Sequence, residues 1–342
     1  MTKTRPKTDT NPRMRAAALP LIGILLALAV APGCKPQEKP GVGPNAASAP
    51  VATSATPVPS ADAPPVIRAS ADKGQPAWAG LAEPRGASLD GKGRLWVADF
   101  GHSRVAIFDG SGGSLGGWGG VRGNGKFQMQ DPADVAVHGD EVYVADTWNG
   151  RVQHLTTSGQ FRDTAVEGLY GPRGVAVASD GKVWVADSGN NRIAIIQAGQ
   201  PVRYVGKTGA GADGLSSPVG VAVSASGRVY VADIGNRRIQ VLGAEGKFER
   251  AIPVSAWTSP MEPYLAVDDK DNLFTTVPAA SIVLELDRSG KLQHKWDRDD
   301  SGKKFLKPTG LALDAANGVL YVVDTAASSV GTIHIHAAAK KP

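Results

Sequence analysis

The sequence predicts an all-β chain folded as a six-bladed β-propeller of four-stranded blades, and three observations carry that prediction. The stretch Val183-Trp184-Val185-Ala186-Asp187-Ser188-Gly189-Asn190-Asn191-Arg192-Ile193 reads as strand, tight turn and strand. Weaker copies recur around Trp96, Tyr143, Tyr230, Phe274 and Tyr321, so an aromatic residue holds the same register in all six. Each copy follows an apolar strand opened by proline, at Pro84, Pro132, Pro172, Pro218, Pro263 and Pro308, in steps of 48, 40, 46, 45 and 45 residues. A unit of about 40 to 50 residues with four short strands is the size of one propeller blade. Finally, the two ends look complementary. The last unit stops after its third strand, and an unmatched strand-like piece, residues 66–70, precedes the first proline. The expectation is that this N-terminal piece completes the last blade and leaves no open sheet edge.

Taken in order, the chain opens with a basic segment (Lys3, Arg5, Lys7, Arg13, Arg15) and an apolar run that ends at Gly33. This is the build of an export signal. The chain's single cysteine, Cys34, follows directly, and the junction resembles the lipobox of bacterial lipoproteins. That resemblance implies cleavage after residue 33, lipidation of Cys34 and tethering to a membrane outside the cytoplasm. Lys35 stands where an Asp would retain a lipoprotein at the inner membrane, so the outer membrane is the expected address. No other cysteine remains for a disulfide. Residues 34–65 are Pro- and Ala-rich, with eight prolines and seven alanines from 35 on, and nearly lack large apolar side chains. Such a segment buries no core and reads as an extended tether of up to about 100 Å. The propeller occupies residues 66–337, and 338–342 form a short tail.

The net charge of +5 points toward nucleic acid or an anionic surface only if it belongs to the folded part. It does not. Residues 1–33 hold five basic side chains and one acidic, so 32 basic face 31 acidic side chains in the rest (37 less 5, 32 less 1). A near-neutral propeller behind an export signal argues against nucleic-acid binding.

Three stretches, Pro172-Arg173-Gly174-Val175-Ala176-Val177, Val183 to Ile193, and Val229-Tyr230-Val231-Ala232-Asp233-Ile234-Gly235-Asn236-Arg237-Arg238-Ile239, resemble the Asn-His-Leu (NHL) repeat family. The likeness runs over about residues 80–337 and implies a six-bladed propeller. The fifth unit departs from it, with Val277 and Ser281 at the Asp and Arg positions, and the sixth keeps Asp324 without the Arg.

Asp and Arg stand five apart in four units, as Asp99 and Arg104, Asp146 and Arg151, Asp187 and Arg192, and Asp233 and Arg238. Copying in four units marks a blade fastener rather than a single active site. Function is sought where the repeats differ. The openings and the turns between second and third strands emerge on one face, which should carry Arg85, Asp134, Arg173 and Tyr264 near the channel and Phe100, His102 and Trp148 farther out. These are the candidate ligand-binding residues, suited to an envelope protein, a peptide, a glycan or a small molecule. No cofactor and no catalytic residue is predicted, and the chain is expected to be a monomer. The alternative is a metal-dependent lyase or hydrolase with a divalent cation at the channel, held by Glu83, Asp131, Asp134 and Glu262. The histidines are too scattered for a three-histidine zinc site.

Overall fold

The computed structural model describes residues 66–67, 77–258 and 261–335. The chain divides into two units, Met1–Pro57 and Val58–Pro342, and every described residue belongs to the second. The leader, Cys34 and the whole of the tether lie outside the described residues.

The second unit is a β-propeller of six antiparallel blades. From channel to rim, blade 1 holds Ala87–Leu89, Leu95–Asp99, Arg104–Phe108 and Ser114–Gly119. Blade 2 holds Pro132–His138, Glu141–Asp146, Arg151–Thr156 and Phe161–Val166, and blade 3 Pro172–Val177, Val183–Asp187, Arg192–Ile196 and Arg203–Val205. Blade 4 holds Pro218–Val223, Val229–Asp233, Arg238–Leu242 and Phe248–Pro253, and blade 5 Leu265–Val267, Leu273–Val277, Ile282–Leu286 and Leu292–Trp296. Blade 6 has Pro308–Asp314, Val319–Asp324 and Ser329–His334. The first strands touch their neighbours all the way round, and blade 6 closes on blade 1. No α-helix occurs among the described residues, and short 3-10 turns link second to third strands in blades 1 to 5.

The recurrent aromatics pack as the repeat requires. Each lies opposite a small residue of the first strand, as in Ser88 with Trp96, Ala176 with Trp184, Ala222 with Tyr230 and Ala266 with Phe274. The small partner leaves room for a ring to fill the space between blades, which is why Trp96, Trp184, Tyr230 and Phe274 are among the largest fully buried side chains.

The four Asp–Arg pairs are fasteners, and both ends of each are used. Asp99, Asp146, Asp187 and Asp233 are fully buried, and each holds its Arg Nε at 2.5 to 2.9 Å. The second oxygen of each accepts a backbone N–H from the opening of its own blade, at 2.7 Å from Ala82, Gln130, Tyr170 and Ser216. In blades 1, 2 and 4 the guanidinium also reaches carbonyls of the preceding segment, Gly80 for Arg104, Gln128 for Arg151 at 2.9 Å and Gly214 for Arg238 at 2.8 Å, whereas that of Arg192 lies over the Tyr204 ring at 3.7 Å. One buried ion pair thus ties opening, turn and loop together.

The expected clasp is different from the one found. Val66–Ile67 pairs with Ser114–Gly119, so it adds a fifth strand to blade 1 and does not complete blade 6. The two open edges offer the same row of N–H and C=O groups, and side-chain pattern does not discriminate between them. What closes the ring is packing at the seam, where Trp78 wedges against Phe108 of blade 1 and Tyr321 of blade 6 at centroid distances of 5.4 and 5.9 Å. The rim edge of blade 6 is capped locally. The Asp300 N–H donates to the Thr332 carbonyl, and the Asp300 carboxylate accepts the His334 N–H, both at 2.9 Å.

Candidate functional site

The openings that precede the first strands converge on the channel mouth, and the glycine two residues after each proline sets how tightly. An added Cβ on Gly174 would come within 2.2 Å of the Val219 carbonyl, and on Gly310 within 2.0 Å of the Arg85 carbonyl. Backbones of adjacent blades therefore meet at this level, and the mouth is narrow. Two of the six openings break the glycine pattern, and both send a side chain into the constriction.

Asp134 of blade 2 is the first. Its carboxyl lies over Gly86, and its two oxygens accept the N–H groups of Val135 and of Val175 in blade 3, each at 2.9 Å. Burial pushes its pKa well above the ordinary carboxylate range, and these two bonds only partly counter that. Tyr264 of blade 5 is the second. Buried to 3 % exposure, it crosses the channel and donates to the Ala133 carbonyl of blade 2 at 2.8 Å, with the Arg173 carbonyl of blade 3 at 3.1 Å. Burial, reinforced by the charge of Asp134, raises its pKa so that the hydroxyl stays protonated. Above this plug Glu262 of blade 5 forms ion pairs with both Arg85 of blade 1 and Arg173 of blade 3. The Arg85 guanidinium also stacks on Phe100 at 4.2 Å.

The channel below is a cavity of about 220 Å³ lined by the first strands of all six blades, with Asp134 and Tyr264 at its closed end. A second cavity, of about 370 Å³, lies on the face itself over blades 2 to 5. Its walls include Trp148 and Tyr170, both 67 % exposed, with Arg173 and Glu262 toward the channel and Ser188, Ser217, Ile234 and Met261 along the side.

The structure therefore divides the sequence-derived candidates. Trp148 and Arg173 line the groove. Asp134, Tyr264, Arg85 and Phe100 belong to the plug and its cover. His102 occupies the position of Asn149, Asn190 and Asn236 in the fasteners and holds Asp99 at 2.9 Å, as those residues hold their own aspartates at 2.7 to 2.9 Å. The oxygen ligands considered for a cation do not come together, and no group of three or more metal-binding side chains occurs among the described residues. Asp131 pairs with Arg122, Asp134 and Glu262 are engaged as above, and Glu83 is exposed. Tyr170, the groove's second aromatic, was not singled out from sequence. The signal was its place directly before Gly171-Pro172, on the same face as Trp148.

Comparison with known proteins follows the repeat. A family model described as "NHL repeat" matches residues 81–108, 129–155, 169–196 and 215–242. The match is to those four segments, about a third of the chain. They span the opening to the third strand of blades 1 to 4 of the propeller, the part that holds each fastener. Blades 5 and 6, where Val277 replaces the aspartate and Asp324 lacks its arginine, fall outside the matched segments. None of the curated proteins compared with the chain matches it. Among solved structures, a streptogramin B lyase is similar with a TM-score of 0.54 at 15 % identity, over 74 % of this chain and 93 % of the other. A gluconolactonase from Xanthomonas campestris gives 0.57 at 14 %, over 74 % and 86 %. An auxiliary nutrient binding protein from Bacteroides thetaiotaomicron gives 0.56 at 10 %, over 74 % and 69 %. At these identities the likeness is one of fold alone, shared by lyase, lactonase and binding protein.

Proposed function

We propose that the protein is a binding module, an NHL propeller that captures a polar peptide or glycan in the groove between Trp148 and Tyr170. The observation that carries this reading is the pair of exposed aromatic side chains flanking a cavity of about 370 Å³ that also contains a guanidinium and a carboxylate. Aromatic faces take up the apolar surface of a sugar ring or peptide at small entropic cost, and charged groups at the floor fix orientation. The rival reading, a metal-dependent lyase or hydrolase at the channel, has less support, because the mouth's carboxylates are engaged with arginines and backbone amides.

The proposal extends to location. Lipidation of Cys34 and the Pro/Ala-rich segment would display the propeller from a membrane outside the cytoplasm, the outer membrane by the residue after Cys34. Two experiments test it. Peptide and glycan arrays probed with the full chain should yield binders that the Trp148→Ala/Tyr170→Ala variant fails to hold, and undiminished binding by that variant places the ligand elsewhere. Labelled palmitate should enter the wild-type chain in bacteria and not Cys34→Ala; equal labelling of both refutes the anchor.

A further inference from the structure

The indoles at the start of the second strands provide an internal comparison. In blade 1, Asp90 begins the hairpin between first and second strands. It accepts the Trp96 indole N–H at 3.0 Å, Arg94 Nε at 2.6 Å, and the backbone N–H groups of Lys92 and Arg94, both at 2.9 Å. The acceptor, the basic residue and the indole are spaced 0, +4, +6. Blade 3 repeats the spacing with Ala178, Lys182 and Trp184. Both donors are kept, and a methyl group stands where the carboxylate was.

The consequence is visible in the packing. Trp184 is 1 % exposed and its Nε1 has no hydrogen-bond partner. It lines a cavity of about 210 Å³ between blades 3 and 4, with Ala178, Lys182, Ser226 and Ala244 around it. This cavity lies at the hairpins joining first to second and third to fourth strands, on the face opposite the groove. We propose that it is a carboxylate-binding site, in which a ligand's carboxylate takes the place that Asp90 fills in blade 1, between the Trp184 indole N–H and the Lys182 ammonium.

Charge around the site limits its strength. Lys182 meets Asp180 at 3.1 Å and Glu245 at 2.8 Å, and Glu245 also meets Arg203 at 3.3 Å. Asp180 and Glu245 have side chains 50 % and 73 % exposed, so their hold on Lys182 is screened by water and salt. A carboxylate that also receives the buried indole N–H competes for the ammonium, with weak, salt-sensitive affinity. The carboxylate could belong to a free small acid or to an acidic side chain of a docking protein.

The test follows the indole N–H of Trp184 by 15N NMR in the full chain, with the peak assigned from Trp184→Phe. Sodium acetate should move this peak to a saturating value, while sodium chloride at equal ionic strength should not, and acetamide should bind at least tenfold more weakly. Ala178→Asp should show a displaced peak from the outset with no response to acetate. Lys182→Met, which leaves the cavity walls in place, should weaken acetate at least tenfold, and Glu245→Gln should tighten it severalfold. Tighter binding of N-acetyl-aspartate N-methylamide than of acetate marks a protein side chain as the source, and the reverse marks a free acid. A peak that does not saturate, answers chloride equally, or binds acetate unchanged in Lys182→Met overturns the proposal.

Discussion

The hydroxyl of Tyr264 in blade 5 donates to the main-chain carbonyl of Ala133 in blade 2, 2.8 Å away and on the opposite side of the ring. A single side chain thereby spans the channel and shuts one mouth. Tyr264→Phe should keep the plug but lose the buried bond, at about 1 to 2 kcal/mol in urea unfolding. Tyr264→Ala should cost about 3 to 5 kcal/mol, because it also leaves a void at the crowded centre. Equal costs for the two would mean that the ring's volume contributes nothing to closure.

Asp134 predicts an unusual pH response. Its folded pKa lies well above the unfolded value of about 3.9, so between the two the folded state binds more proton than the unfolded state. This group's contribution to stability should therefore fall as pH rises above about 4, the reverse of a salt-bridged aspartate. Unfolding free energies measured at several pH values should show that downward component in the wild type, and Asp134→Asn should remove it. An identical pH profile for the variant would indicate an ionised Asp134.

The fasteners should rank by what each carboxylate holds. Asp233 binds Arg238, Asn236 and the Ser216 N–H, so Asp233→Ala leaves a half-buried guanidinium without its counter-charge and a buried N–H without its acceptor, and should cost about 3 to 5 kcal/mol. Asp324 accepts only backbone N–H groups, from Leu306, Lys307 and Ala327, and its removal should cost about 1 to 3 kcal/mol. Thermal melts of the two variants decide the order.

Trp148 and Tyr170 make the opposite prediction. Both are largely exposed, so Trp148→Ala and Tyr170→Ala should each change stability by no more than about 0.5 kcal/mol while weakening ligand capture at least tenfold. Loss of stability with intact capture would make them packing residues.

Much of the fold was legible because a propeller repeats its physics. Aromatic register, opening prolines and Asp–Arg spacing are local, and six copies average out the noise of any one of them. The candidate site was legible only in part. Position on the face placed Trp148 and Arg173 at the groove, but it equally nominated Asp134 and Tyr264, which turn inward. His102 looked like an odd residue in a symmetric place and proved to be a substitute for the fastener asparagine.

The sequence by itself determined the six blades, their strand order, the fasteners and the face on which the repeats diverge, since all of these follow from periodicity and short-range hydrogen bonding. Only the tertiary structure decided that Val66–Ile67 joins blade 1, that Tyr264 reaches Ala133, and that Glu262 gathers Arg85 and Arg173. The last two join residues of different blades, and the repeat pattern constrains neighbours along the chain, not partners across a closed circle; the first is a choice between two open edges that the side-chain pattern does not distinguish.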